Sequence, residues 1–121
     1  MDSTHTYVTA RISPTDARAV LGTLGREHAM WIFDFGRASL TRVPFEGDAD
    51  RPIWSPDGKS IVFRGTTDDS TGLFRLAADG SGAAERLTTE VRLPTAADWS
   101  HDGNELVYVD EVTSPAATAW R

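Results

Sequence analysis

The chain has 121 residues with a formal net charge of −6, and 40% of the residues are hydrophobic. This length suits a single domain, and the acidity argues against a nucleic-acid binder, which would carry a basic stripe. There is no cysteine, and no apolar run approaches the length of a membrane span, so we expect a soluble protein without membrane insertion. The polar residues 1–6 predict that no secretory signal is present.

Short β-rich segments follow one another along the whole chain, separated by Gly, Pro or Asp every few positions. Residues 45–51 are predicted to be an acidic connection rather than a strand. No amphipathic run of ten or more residues is present, which excludes helical repeats of similar length. In chain order we predict strands at 7–12, 18–24, 29–35 and 40–43, then at 52–54, 60–64, 72–77 and 84–87, and finally at 96–100, 105–110 and 117–121.

The hairpin at residues 52–63 contains the motif that recurs in the chain. Pro56 fixes φ for the second position of a type I turn, Asp57 suits the third position, and Gly58 adopts the positive φ that follows. The same pattern returns around residue 99, and a weaker copy lies near residue 13. The residues that define this structural repeat are Ser13 and Pro14 in the first copy, Trp54, Ser55, Pro56, Asp57 and Gly58 in the second, and Trp99, Ser100, Asp102 and Gly103 in the third.

The serines of the three copies lie 42 and 45 residues apart. A period of about 40–45 residues with four short strands per unit is typical of a β-propeller blade. We therefore predict an all-β fold of blades with four antiparallel strands, with about three blades in this chain, half of a six-bladed propeller. The predicted blades span about 7–44, about 52–88 and, incompletely, about 96–121, within one partial domain over residues 1–121.

Two copies of the motif depart from the pattern. In the first, Thr15, Asp16 and Ala17 replace Asp-Gly-Lys, so this turn is expected to differ. In the third, His101 stands where Pro is usual, which should loosen the turn without abolishing it.

Aromatic residues recur at the repeat spacing as well. Such recurrence indicates packing between blades, whereas a surface that stacks a ligand would not need to repeat. We therefore place these side chains in the core. The predicted equivalent pairs are Trp54 with Trp99, Phe63 with Tyr108, and Phe33 with Phe74.

The pattern Trp-Ser-Pro-Asp-Gly-Lys-x-Ile-x-Phe at residues 54–63 resembles the WD-like repeat of TolB-type β-propellers. Residues 31–88 are also similar to the propeller region of some bacterial serine/threonine kinases. The resemblance covers residues 7–120 and is specific for the fold, not for a function. It implies a bacterial module that binds a protein or peptide, with a periplasmic or extracytoplasmic place in a parent protein.

Residues for catalysis or metal binding are scarce. His5, His28 and His101 stand at no ligand spacing, and the chain contains neither a Gly-x-Ser-x-Gly elbow nor a phosphate-binding loop. We therefore expect no catalytic residue, no cofactor and no metal. Two functional classes stay open, a non-catalytic binding module and the gating part of a hydrolase or peptidase. A convergent polar cluster at one mouth of the channel would distinguish them.

Three blades in a row would leave two apolar faces open, and such faces favour association. Propellers close with about four to eight blades. The partner is therefore either the rest of a longer propeller or a second copy of this chain, and we favour a homodimer because two copies supply six blades.

Overall fold

Antiparallel β-sheets make up the described part of the chain. The computed structural model describes residues 6–15, 17–24, 29–67, 70–88, 94–110 and 114–120. Sheet 1 contains β1 (Thr6–Ile12), β2 (Arg18–Leu24), β3 (Met30–Asp34) and β4 (Ser39–Arg42); sheet 2 contains β5 (Asp48–Trp54), β6 (Ser60–Thr67), β7 (Ser70–Ala77) and β8 (Glu85–Arg86); sheet 3 contains β9 (Pro94–Trp99), β10 (Leu106–Asp110) and β11 (Ser114–Trp120). Within each sheet, every strand pairs with the next along the chain. Over these residues there is no helix long and apolar enough to span a bilayer.

The predicted all-β architecture is confirmed, but the predicted connection at 45–51 is right only for residues 45–47 and wrong for residues 48–51, which belong to a strand. Strand β5 begins at Asp48, and its first residues pair with the far end of β6. The Arg64 guanidinium donates two hydrogen bonds to Asp50, of 3.0 Å and 2.9 Å, so the acidic residue has a cationic partner on the neighbouring strand. The register shifts between Asp50 and Ile53, where Arg51 has a φ of +54°. An irregular strand therefore replaces the second part of the expected loop, residues 48–51.

The three sheets stack through two hydrophobic cores, with sheet 2 in the middle. Along β6, Ile61 and Phe63 belong to the core shared with sheet 1, while Val62 belongs to the core shared with sheet 3. This alternation follows from the two-residue period of a strand, and all three side chains are fully buried. The sequence of β6 is continuously apolar at these positions because both of its faces are covered.

The first strands of the three sheets lie together. Strand β5 contacts both β1 and β9. The Trp54 indole N–H donates a 2.8 Å hydrogen bond to the Arg11 carbonyl oxygen, which ties sheet 2 to the end strand of sheet 1. The sheets thus converge along one side.

The predicted equivalence of Phe33 and Phe74 is wrong. Phe74 lies opposite Phe63 in the β6–β7 pair, and the residue 42 positions before Phe63 is Leu21. Leu21 lies opposite Trp31, so Trp31 is the counterpart of Phe74. The connections between the strands differ in length, and equivalence follows strand pairing rather than linear spacing.

Three phenylalanine rings pack at the core between sheets 1 and 2. Phe45 lies 5.0 Å from both Phe63 and Phe74 between ring centroids, in edge-to-face geometry. Gly65 lies directly beneath them, because a Cβ at this position would stand 2.6 Å from Phe45 and 2.7 Å from Phe74. The close ring packing therefore requires a glycine in the middle of β6.

We expect Gly65→Ala to lower the free energy of unfolding by about 1–3 kcal/mol, because the added methyl group forces two packed rings apart. Urea denaturation followed by circular dichroism measures the change. Gly36→Ala is the matched control, since its Cβ would meet only the Asp34 carboxylate oxygen at 3.4 Å. Equal effects of the two substitutions would contradict the packing described for Gly65.

Candidate binding face

The repeated motif builds a closed hydrogen-bonded turn. In the second copy the Ser55 N–H donates to the Ser60 carbonyl at 2.9 Å, and the Ser60 N–H donates to the Ser55 hydroxyl at 3.1 Å. That hydroxyl donates to Asp57 at 2.6 Å, and Asp57 also accepts from the Lys59 N–H at 2.9 Å. Gly58 has a φ of +71°, which a residue with a side chain rarely adopts. Backbone and side-chain bonds together fix the turn.

The third copy repeats this network. The Ser100 hydroxyl donates to Asp102 at 2.7 Å and accepts from the Glu105 N–H at 3.0 Å, and Gly103 has a φ of +77°. His101 replaces the usual proline and is exposed, but the hydrogen bonds are the same as in the second copy. The serine and the aspartate therefore fix this turn without a proline.

The first copy keeps the serine bonds and changes the acceptor. The Ser13 N–H donates to the Arg18 carbonyl at 2.8 Å, and the Arg18 N–H donates to the Ser13 hydroxyl at 3.2 Å. The hydroxyl of Thr15 lies 3.2 Å from that of Ser13, in the place of the aspartate. Pro14 is exposed, and Asp16 lies outside the described residues.

Four aspartates are held in the ionised form by these and similar turns. The Ser55 hydroxyl lowers the pKa of Asp57, and the Ser100 hydroxyl lowers the pKa of Asp102. A hydrogen bond from the Arg37 backbone N–H is the main cause of the lowered pKa of Asp34. A hydrogen bond from the Ser81 side chain is the main cause of the lowered pKa of Asp79. At neutral pH these carboxylates accept hydrogen bonds and do not act as proton donors.

We expect the protein to lose stability as the pH falls below about 4. A carboxyl with a lowered pKa stabilises the folded state above its ordinary pKa, 3.8 for these groups, and this contribution disappears as the pH falls through the folded-state value. Urea unfolding across a pH series measures the effect. Ser55→Ala should reduce the loss of unfolding free energy at low pH, because it removes the hydrogen bond to Asp57. Ser39→Ala, at an exposed position, should leave this pH dependence unchanged.

The turns meet at one end of the stacked sheets, which we call the turn end. It consists of the turns at 13–15, 35–38, 55–59, 78–84 and 100–105. In sheets 1 and 2 the turn after the first strand and the turn after the third emerge on the same side. A Cβ placed on Gly58 would lie 3.3 Å from Thr15 Cγ2, so the turns of sheets 1 and 2 lie side by side. A single surface therefore carries all of these turns.

Three clefts reach the turn end, and the first also extends along β4 as far as Pro44. The first, of about 390 Å³, lies between sheets 1 and 2 and is bordered by Arg18, Asp34, Arg37 and Asp79. The second, of about 310 Å³, lies between sheets 2 and 3. A third, of about 380 Å³, lies beside the first strands. The second is lined in part by Asp57, Arg75, His101 and Asp102, and the third by Pro14, Trp54, Pro56, Asp98, Trp99 and His101.

In the structure, the motif residues lie in the turns and in the two hydrophobic cores. Ser13 and Ser55 are buried beneath their turns, and Trp54 and Trp99 are each 8% exposed in the two cores. Pro14, Asp57 and Asp102 face solvent at the turn end. Among the described residues no group of three or more His, Asp or Glu side chains is placed to hold a metal ion.

Sequence reasoning missed the charged residues of the first cleft. Arg18 begins β2, Arg37 lies in the turn after β3, and Arg42 ends β4, while Asp79 belongs to sheet 2. No regular spacing joins them, because strand pairing and sheet stacking bring them together. The sequence feature that could have indicated this charged cleft is the occurrence of two arginines, Arg37 and Arg42, within six residues.

Four-stranded antiparallel sheets that stack face to face, with their first strands together, define β-propeller blades. The fold is that of TolB-type propellers. TolB from Acinetobacter baumannii superposes with a TM-score of 0.78 at 17% identity, covering 100% of this chain and 33% of that one. The putative TolB from Agrobacterium tumefaciens gives a TM-score of 0.72 at 23% identity, covering 88% of this chain and 41% of that one.

Sequence comparison agrees with the structural likeness. The Tol-Pal system protein TolB of Anaeromyxobacter dehalogenans strain 2CP-C is 32% identical over 85 residues, and that of strain 2CP-1 is 31% identical over the same length. Each alignment covers 62% of this chain, which spans about a fifth, 19%, of the relatives it matches. No protein-family model matches the chain. The predicted likeness to TolB-type β-propellers is thereby confirmed.

Proposed function

We propose that this chain is a non-catalytic β-propeller module that binds a protein or peptide partner at its turn end. The observation that carries this proposal is that three clefts reach the same end, between or beside blades whose turns are fixed by hydrogen bonds. Rigid scaffolds that present clefts and turns of this kind suit recognition. The ionised carboxylates of the turns accept local hydrogen bonds and are poorly suited to acid catalysis.

The similar proteins carry the name Tol-Pal system protein TolB. By analogy we propose that this chain is the sensor or scaffold part of a larger bacterial protein and binds other proteins in the periplasm.

We also propose that further blades cover the open face of sheet 1. The residues on this face are counterparts of residues that sheet 2 buries against sheet 1. Ile12 is 62% exposed whereas its counterpart Trp54 is 8% exposed, and Phe35 is 48% exposed whereas Ala78 is buried. The Phe35 and Ala78 N–H groups donate equivalent bonds, to the Ala17 and Lys59 carbonyls. The counterpart pairs are Ile12 with Trp54, Leu21 with Phe63, Trp31 with Phe74, Phe33 with Leu76, and Phe35 with Ala78.

The face of sheet 3 that points away from sheet 2 is also open. Val107 is 38% exposed, whereas its counterpart Val62 is fully buried against sheet 3. A second copy would place the open face of its sheet 1 against sheet 3 of the first copy, and its own sheet 3 against the open face of sheet 1 of the first copy. We therefore propose that two copies close a six-bladed ring by a two-fold arrangement.

Selection of phage-displayed random peptides against the chain tests the binding role. We expect enriched peptides whose affinity falls in the turn-end variants Arg37→Gln and His101→Ala. The same peptides should bind unchanged to Glu46→Gln, which alters an exposed residue between β4 and β5 at the opposite end. Peptides that ignore both turn-end variants would contradict the proposed face, and cleavage of a bound peptide would contradict the non-catalytic assignment.

A further inference from the structure

Three large aromatic side chains lie in a row on the open face of sheet 1. Met30 and Ile32 of β3 belong to the core shared with sheet 2, so the alternate residues face away from it. These are Trp31, Phe33 and, just after the strand, Phe35, which we call the aromatic row. Phe33 and Phe35 pack edge to face with their ring centroids 5.4 Å apart, and Phe35 is 48% exposed.

The same positions of sheet 2 hold smaller side chains. Each residue of the aromatic row is larger than its counterpart, and the difference is greatest for Phe35, which stands where sheet 2 has an alanine. On β1 the order is reversed, because Ile12 stands where sheet 2 has Trp54. The bulk of the open face is thus shifted onto β3, and a blade that covers it needs room opposite this strand. The counterparts of the aromatic row are Phe74, Leu76 and Ala78, which are all buried against sheet 1.

The open face of sheet 3 has small residues where this room is needed. Val107 is 38% exposed on this face and lies opposite Ala119 on β11. In sheet 1 its counterpart Val20 lies opposite Ile32, so sheet 3 has an alanine in the position of an isoleucine. Residues that lie opposite each other share a face of the sheet. The positions at which β11 has alanine and β3 a larger residue are Ala119, the counterpart of Ile32, and Ala117, the counterpart of Met30.

The larger and the smaller residues occupy matching positions. Between sheets 1 and 2, Ile32 borders the first cleft together with Leu76 and Ala78. When sheet 1 of a second copy covers sheet 3, the same relation brings Ala119 of one copy beside Phe33 and Phe35 of the other. Large side chains then meet small ones, which keeps the packing between the blades dense.

The charges at the turn end are exchanged in the same way. Arg18 of sheet 1 and Asp79 of sheet 2 both border the first cleft. The motif serines donate alike to the Arg18 and Glu105 carbonyls, so Glu105 has the position of Arg18 in sheet 3. The turn after β3, which corresponds to the turn with Asp79, carries Arg37. A pair of this kind contributes little affinity at the surface, but its opposite charges favour the contact of sheet 3 with sheet 1.

We propose that the aromatic row of one copy packs against Ala117 and Ala119 of a second copy, with the Phe35 ring beside Ala119. This inference rests on the proposed closure of the ring by two copies and names the surfaces that meet. A contact of sheet 1 with sheet 1 would oppose two aromatic rows, and a contact of sheet 3 with sheet 3 would oppose two faces of small residues. One chain carries both matching surfaces, so a second copy is the partner that fits.

Sedimentation velocity over a range of concentrations tests this contact with Phe35→Ala, Ala119→Ile and the double variant. Each single substitution should raise the dimer Kd at least about tenfold, because the closed ring contains the contact twice. The double variant restores the isoleucine and alanine found between sheets 1 and 2, so it should dimerise more tightly than Ala119→Ile alone. Ala83→Ile, at an exposed alanine in the turn 78–84, is the control and should change the Kd less than about twofold.

A parent dimer in which the double variant is weaker than both single variants would overturn this inference and leave the closure of the ring standing. A monomeric parent chain would overturn both. Ala119→Ile should retain the circular dichroism spectrum of the parent chain, because the same position holds Ile32 in sheet 1 and Arg75 in sheet 2. If it does not fold, Ala119→Val replaces it in the same comparison.

Discussion

Trp54→Ala should lower the free energy of unfolding by about 3–5 kcal/mol, the cost of truncating a large buried aromatic side chain. The indole is 8% exposed, fills the core between the first two blades, and donates its N–H to the Arg11 carbonyl at 2.8 Å. The substitution therefore removes packing and a link between blades together. Urea denaturation followed by far-ultraviolet circular dichroism measures the change without relying on the missing fluorophore.

Trp54→Phe separates the two contributions. It keeps an aromatic ring in the core and removes the donor to Arg11, so its cost should be about 1–3 kcal/mol, from one lost hydrogen bond and a smaller ring. A Trp54→Ala variant within about 0.5 kcal/mol of the parent chain, the range of ordinary surface substitutions, would contradict the interblade position of the indole.

Phe63→Ala should cost a similar amount, about 3–5 kcal/mol. The side chain is fully buried and packs against Phe45 at 5.0 Å and Phe74 at 6.1 Å between ring centroids. Deleting it leaves a cavity in the larger core, since the neighbouring strands are held in place by their ladders. The same unfolding experiment gives the value.

Phe63→Leu is the matched control for this position. It keeps an apolar side chain in the core, and changes of this kind usually cost less than about 1.5 kcal/mol. A small and equal loss for the alanine and leucine variants would show that Phe63 is not packed as described.

Much of the fold could be predicted from local sequence. The turn at Ser55, Pro56, Asp57 and Gly58 has a specific residue at each position, and its recurrence fixes the blade period. The structure adds the reason for the serine, whose hydroxyl bonds the residue five positions later in all three copies. These contacts join residues that are close in the sequence, so a local sequence pattern can predict them.

Long-range pairing was harder to predict. Residues 48–50 pair with residues 64–66 of β6, where Arg64 also donates to Asp50, and nothing in the acidic segment itself indicates these partners. The first cleft likewise combines arginines of one blade with the turn of the next. When each segment of the sequence is considered alone, these residues are predicted to be separate charges exposed to solvent.

The mass in solution tests the closure of the ring most directly. Light scattering on a size-exclusion column should give about 26 kDa, two copies of the 13.2 kDa chain. Phe35→Glu should shift the mass toward that of one copy, because it places a charge on the open face of the first blade. A parent chain that elutes as a stable 13.2 kDa monomer, unaffected by this substitution, would contradict closure by a second copy.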